Sequence, residues 1–364
     1  MADANSVRKT DEGVIELRFD GKRFGHWQQC RLRRTIEDLC EDLTAQLTLP
    51  GTGSSLGLTP NTKIEVLIDD ELVATIRPDK RTRKVGATSH TIDVQARSLA
   101  RELVDCKYSK TLSGLKLGEI VKRLGSTFNV PVKVQADTAV VKDFAMQCEQ
   151  PANALLNAVK AANLLLYPTA DGGLCLAEPT KAAPVCTLEY GVHIKEYTII
   201  DEDNLRFSDY TIKSFDGAAD KALKGAVQDD GIAYFRPMHV VADKQGTSQG
   251  ALQRRAEQER TRRRAKAHRI EVEVQGWRYL DADGKRKLWD VNLPVRVIIE
   301  PEDVNTAFIV AERSFDIDSQ GGRVTVLDLQ LREALLGGDP DKDKKTKGRG
   351  SRRRRTRRTT GGTA

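Results

Sequence analysis

Aromatic residues are scarce. Nine Phe, seven Tyr and three Trp make up only 5% of 364 residues. Any core must therefore be built mainly from Val, Ile, Leu and Ala. Histidine is scarcer still. His26, His90, His193, His239 and His268 include no pair four residues apart and no H-E-x-x-H order, which removes the zinc-hydrolase pattern. The six cysteines, Cys30, Cys40, Cys106, Cys148, Cys175 and Cys186, form no C-x-x-C pair and have no His at ligand spacing. Neither a metal nor an essential disulfide is expected, and the thiols read as reduced and buried, as in Leu174-Cys175-Leu176. No run approaches the ~18 apolar residues of a membrane span, and Met1 to Asp11 lacks the apolar centre of a signal peptide. The chain is expected to be made in the cytoplasm, without membrane insertion.

The net charge of +7 is concentrated at one end. Gly337 to Ala364 carries eleven Lys/Arg against three Asp/Glu, a net of +8, which leaves the remainder at −1. A basic fold designed around nucleic acid is thereby disfavoured, and the basicity belongs to a tail. Arg352, Arg353, Arg354, Arg355, Arg357 and Arg358 are its candidate contacts for a polyanion or an acidic partner, and a tail of this composition is expected to be disordered when unbound. A second basic run, Arg254 to Arg269, surrounds one expected helix, so its charges cannot all face one partner. Gly51 to Gly57 has the glycine content of a phosphate loop, but Leu58-Thr59-Pro60 follows where a helix and a Lys are required. Acidic pairs such as Asp69-Asp70 and Asp229-Asp230 sit in turn-like contexts. Nothing assembles a catalytic constellation or a cofactor site, and no enzyme is expected.

Local patterns give an α+β, multidomain chain. Residues 1–97 read as short strands with hairpin signals at Asp20-Gly21 and Asp69-Asp70. Ile36 to Leu43 suits one helical turn. Residues 98–180 read as a small α+β domain. Ser98 would cap a first helix, Leu115 to Phe128 has helical apolar spacing, and Pro151 opens a third helix. Residues 181–336 return to strands, with an insertion at about 216–269. Within it, Asp216 to Asp230 reads as loop or weak helix and Gln249 to Arg269 as a strong helix. Residues 337–364 are the Arg-rich tail. No fixed-period repeat is present, although the two β regions could be alike in structure.

Several short segments, in order, carry a likeness. They are Phe24-Gly25-His26-Trp27, Arg33 to Glu37 (RRTIE), Asp69 to Ala74 (DDELVA), Ser98 to Cys106 (SLARELVDC), Trp277, Trp289 to Leu293 (WDVNL) and Ser314 to Leu331. The chain resembles the baseplate hub (late control protein D) family of Mu-like contractile-tailed phages. That family is similar in turn to the first part of type VI secretion spike proteins. The resemblance spans residues about 14 to 335. It implies two small β-barrel-like domains with the α+β domain between them, and a homotrimer whose ring meets a sixfold tail tube and a threefold spike. Spike, tube and other baseplate proteins would be the partners, in the virion. The Arg-rich tail and the long basic helix depart from the family pattern. They keep open an alternative, a nucleic-acid-binding protein anchored by its tail.

Overall fold

The computed structural model describes residues 14–25, 27–48, 57–86, 90–216, 221–241, 248–318 and 322–336. Among them, one compact unit comprises residues 14–207 with 260–336, and a second comprises residues 208–259.

The first part of the larger unit is a run of antiparallel strands: β1 (Ile15–Phe19), β2 (Lys22–Phe24), β3 (Gln29–Thr35), β4 (Asp42–Thr48), β5 (Ile64–Ile68), β6 (Glu71–Val85) and β7 (His90–Ser98). The hairpin signals hold for a steric reason. Asp20, Gly21, Asp69 and Asp70 all have positive φ, which these residue types tolerate. Alternation sets the faces: Leu43, Ala45 and Leu47 of β4 are buried while their neighbours are not. Two local expectations need correction. Ile36 to Leu43 forms no helix, because Ile36 N–H is used by Ala311 O at 2.9 Å and β4 begins at Asp42. Ser98 does not cap a helix. It ends β7, and its Oγ accepts the Glu41 N–H at 3.2 Å, while the helix begins later without a side-chain cap.

The middle part contains α1 (Arg101–Asp105), β8 (Tyr108–Thr111), β9 (Leu115–Lys116), α2 (Leu117–Thr127), β10 (Val132–Val134), β11 (Val140–Val141), β12 (Ala145–Glu149), α3 (Pro151–Ala161), β13 (Leu165–Pro168) and β14 (Leu174–Ala177). Ile120, Val121 and Leu124 of α2, with Leu155 and Val159 of α3, face Leu166, Leu174 and Leu176 across a core of their own. Pro151 stands at the start of α3, where its missing N–H costs nothing.

The last part returns to strands: β15 (Thr187–Glu189), β16 (Ile194–Asp201), then after the smaller unit β20 (His268–Gln275), β21 (Arg278–Leu280), β22 (Arg286–Leu288), β23 (Pro294–Ile299), β24 (Val304–Asp318) and β25 (Gly322–Gln330). The two β regions share one sheet. Its order is β16-β20-β25-β24-β3-β4-β7-β6-β5-β1-β2, with β23 on β24 and β15 on β23. A single core beneath it includes Leu32 and Val94 from the first region and Val272 and Leu327 from the last. Pairing among the described residues leaves the path open at β16 and β2 and closes no barrel.

The sheet is built as a repeat. Four strands recur in the same spatial order, β3-β4-β7-β6 and β16-β20-β25-β24, and each set follows the same order along the chain. The fourth place is held by a 15-residue strand in both sets, β6 and β24. The preceding strand, β5 or β23, pairs with the first half of that long strand. Both long strands carry a bulge, between Pro78 and Lys80 and between Val310 and Glu312. No sequence repeat marks this, because the topology requires alternation and bulge position but not side-chain identity.

The smaller unit holds β17 (Asp209–Asp216), β18 (Lys221–Gln228), β19 (Pro237–Val241) and the first part of α4 (Gln249–Ala267), with sheet order β18-β17-β19. Asp216 to Asp230 was expected as loop or weak helix; its described part instead contains β18. Its Gly and Ala content serves close helix packing. A Cβ at Gly225 would lie 2.2 Å from the Leu252 backbone carbon of α4.

Candidate assembly surfaces

The junction between the two four-strand sets is where β24 meets β3. Its ladder runs from Glu312↔Thr35 to Ile317↔Cys30. On the face beside it, Arg31 pairs with Asp316 at 2.9 Å and Arg33 with Glu312 at 2.6 Å. On the core side lies a buried charge cluster. Glu41, wholly buried, accepts from Arg34 Nη2 at 2.7 Å and from Arg313 Nη2 at 2.5 Å. Arg34 also reaches Asp290 at 2.8 Å and donates to Val73 O, and Arg313 donates to Leu32 O. Burial works against the Arg34 charge, but Glu41 and Asp290 outweigh it and hold its pKa above the usual value. Burial draws Arg313 down instead, with Glu41 opposing and Arg34 adding to the fall. The difference has a plain cause: Arg34 touches two carboxylates and Arg313 only one.

The polar face of this sheet borders a hollow of about 940 Å³, into which Arg31, Lys80, Lys84, Glu273 and Asp316 bring charges of both signs. At either end of the repeated sets an edge is unpaired among the described residues. One is the second half of β6, since β5 covers only its residues up to Ile76. Lys80, Arg81, Arg83 and Lys84 are exposed there. Lys84 pairs with Asp93 at 3.4 Å, while the other three form no ion pair among the described residues. The other is β16 beyond Ile194, whose one bridge on this side is to Tyr190; the strand ends in Asp201 and leads into Glu202. Among the described residues, no group of three or more His, Cys, Asp or Glu could hold a metal ion.

Residues 14–98 match the family described as Mu phage baseplate assembly protein GpP-like, N-terminal, and residues 100–178 match the baseplate hub protein gp44-like second domain. The baseplate hub protein gp44 of Escherichia phage Mu is 28% identical over 345 residues, 89% of each chain. The chain is similar to the baseplate hub proteins of Mu-like phages, and residues 14–178 match two of their domains. Its fold is similar to that of a 43 kDa tail protein of prophage MuSo2 from Shewanella oneidensis, with a TM-score of 0.76 and 24% identity over 89% of the hub and 99% of that chain. A type VI secretion component of E. coli, reported as similar to the T4 tail proteins gp27 and gp5, shares the fold at a TM-score of 0.56 and 8% identity over 89% of the hub and 79% of that chain.

The residues singled out from the sequence distribute unevenly over this hub. Arg352, Arg353, Arg354, Arg355, Arg357 and Arg358 lie outside the described residues, as do His26 and residues 51–56 of the glycine-rich loop. The basic helix is realised as α4, and within the larger unit its last turns are used internally. Arg263 donates to Leu205 O at 3.3 Å and stacks over Phe207, and Lys266 pairs with Glu37 at 3.2 Å. Cys148 departs from the expectation of buried thiols; it is exposed, whereas Cys30, Cys40 and Cys175 are buried. The cationic edge of β6 was missed. The signal was Lys80-Arg81-Thr82-Arg83-Lys84, a charged run that continues the apolar segment Leu72 to Ile76.

Proposed function

We propose that three copies of the hub close into a ring that adapts the sixfold tail tube on one side to the threefold central spike on the other. The repeat is the observation that carries this reading. Each chain supplies two four-strand sets of the same topology, so a threefold ring of chains presents six similar sets. One object can then satisfy a sixfold partner and a threefold partner without a change of sequence. A head-to-tail ring needs two different, complementary surfaces per chain, and the two open sheet edges are such a pair. The work is matching of shape and symmetry rather than catalysis. Synthesis would take place in the host cytoplasm, and the arginine run of the tail would add a non-specific contact with polyanions outside the ring. Native mass measurement is the test. Three times the 40.4 kDa chain mass is expected, alone or with the spike protein; a monomer under both conditions would refute the ring.

A further inference from the structure

The repeat also specifies how neighbouring copies would join. We infer that the second half of β6 in one copy pairs antiparallel with β16 of the next, in the register that β24 and β3 already use inside the chain. This rests on the ring reading above and names its interface.

The register follows from the equivalence of the two sets. Buried Leu43, Ala45 and Leu47 of β4 correspond to buried Ile270, Val272 and Val274 of β20. Their partners on the next strand are Ala96, Val94 and Ile92 in the first set and Leu329, Leu327 and Thr325 in the second. One strand further on, Ala96 faces Pro78 and Leu329 faces Val310, so the bulge of β6 falls on the bulge of β24. The bulges thus coincide independently of the buried residues that align the two sets. Lys80, Arg81 and Lys84 thus take the places of Glu312, Arg313 and Asp316. On the other side, Arg31 faces Thr44 as Thr198 faces Glu271, so β16 takes the place of β3.

Transferring the internal ladder, in which Arg31 faces Asp316 and Arg34 faces Arg313, sets Thr198 opposite Lys84 and Asp201 opposite Arg81. One step further, Glu202 falls opposite Lys80. Tyr197 falls opposite Val85, which is 51% exposed in the single chain. The charges are exchanged relative to the internal junction. There the acids lie on the long strand and the cations on β3; here the cations lie on β6 and the acids at the end of β16. Lysines on an open strand edge ordinarily discourage pairing. Here the opposing edge carries carboxylates at the matching positions, and directly opposed opposite charges favour a ladder. Asp201 already meets His268 at 2.7 Å yet keeps 64% of its side chain exposed, so a second cation can approach it.

Two measurements on the full chain decide this. With exposed Cys148 changed to Ser, the pair Lys84→Cys and Thr198→Cys should give covalent dimers and trimers on oxidation. Each single variant, and the shifted pair Lys84→Cys with Ile200→Cys, should give far less. In the second measurement, Arg81→Asp or Asp201→Arg alone should raise the concentration at which trimers form by at least tenfold, and the two together should restore it. Trimers by native mass with neither cross-link nor charge rescue would overturn the ladder and leave the ring intact through another surface. Absence of trimers in the unaltered chain would overturn ring and ladder together.

Discussion

Glu41 is wholly buried between two arginines and serves as the common acceptor of a cluster spanning both β regions. Removing a shared buried counter-charge leaves cations without compensation, whereas replacing all the charges removes the desolvation cost as well. Glu41→Ala should lower stability by about 3–5 kcal/mol, measured by denaturant unfolding. Replacement of Arg34, Glu41 and Arg313 together by Met and Leu should cost far less, and equal losses in the two variants would show that the cluster acts by packing alone. The cysteines separate at the same scale. Burial pushes the Cys30 and Cys40 thiols up to about 12, so at pH 8 they are protonated as well as inaccessible. Cys148 is exposed on a backbone with φ of 53°. A thiol reagent should modify Cys148 first and leave Cys30 and Cys40 until unfolding; early mass addition at Cys30 would contradict the burial.

At the scale of elements, the smaller unit depends on one close approach. Helix α4 crosses β18 at Gly225, with Leu252 and Ala256 buried against Ile212. Gln253 of α4 accepts the Ala226 N–H at 3.1 Å and donates to Ala226 O at 2.9 Å, so the helix satisfies the strand edge that it covers. A methyl group at Gly225 meets backbone, which cannot swing aside. Gly225→Ala should therefore destabilise this unit by about 1–3 kcal/mol, seen as faster proteolysis within residues 208–259 while the larger unit melts unchanged. A neutral result would mean that the helix can lift from the sheet at little cost. Sequence patterns located α4 well because its propensity is local. They missed β18 because Lys221 to Gln228 has weak strand propensity, and the strand is imposed by pairing with β17 and by the helix above it.

At the scale of the whole molecule, the family domains, the repeat and both proposed edges lie within residues 14–336. Truncation after Leu336 should therefore leave the trimer intact by native mass. It should also abolish any salt-sensitive DNA binding, since that attraction would come from the Arg352 to Arg358 segment. Loss of trimers on truncation would move the assembly surface into the tail; equal DNA binding by both forms would remove the tail's polyanion role.

The sequence by itself determined the alternating strands, the positive-φ hairpins at Asp20-Gly21 and Asp69-Asp70, the apolar faces of α2 and α3, and the segregation of charge into the tail. Each of these depends on residues near one another in the chain, where period, turn chemistry and composition act directly. The tertiary structure alone decided that β24 joins β3 across the whole molecule, that Arg34, Glu41 and Arg313 share one buried site, and that β6 extends as a cationic edge. These come from partners far apart in the chain, as with Arg31 and Asp316, separated by 285 residues. A single sequence carries no record of such pairings, because many side chains satisfy the same alternation and only the closed network of backbone hydrogen bonds selects the register.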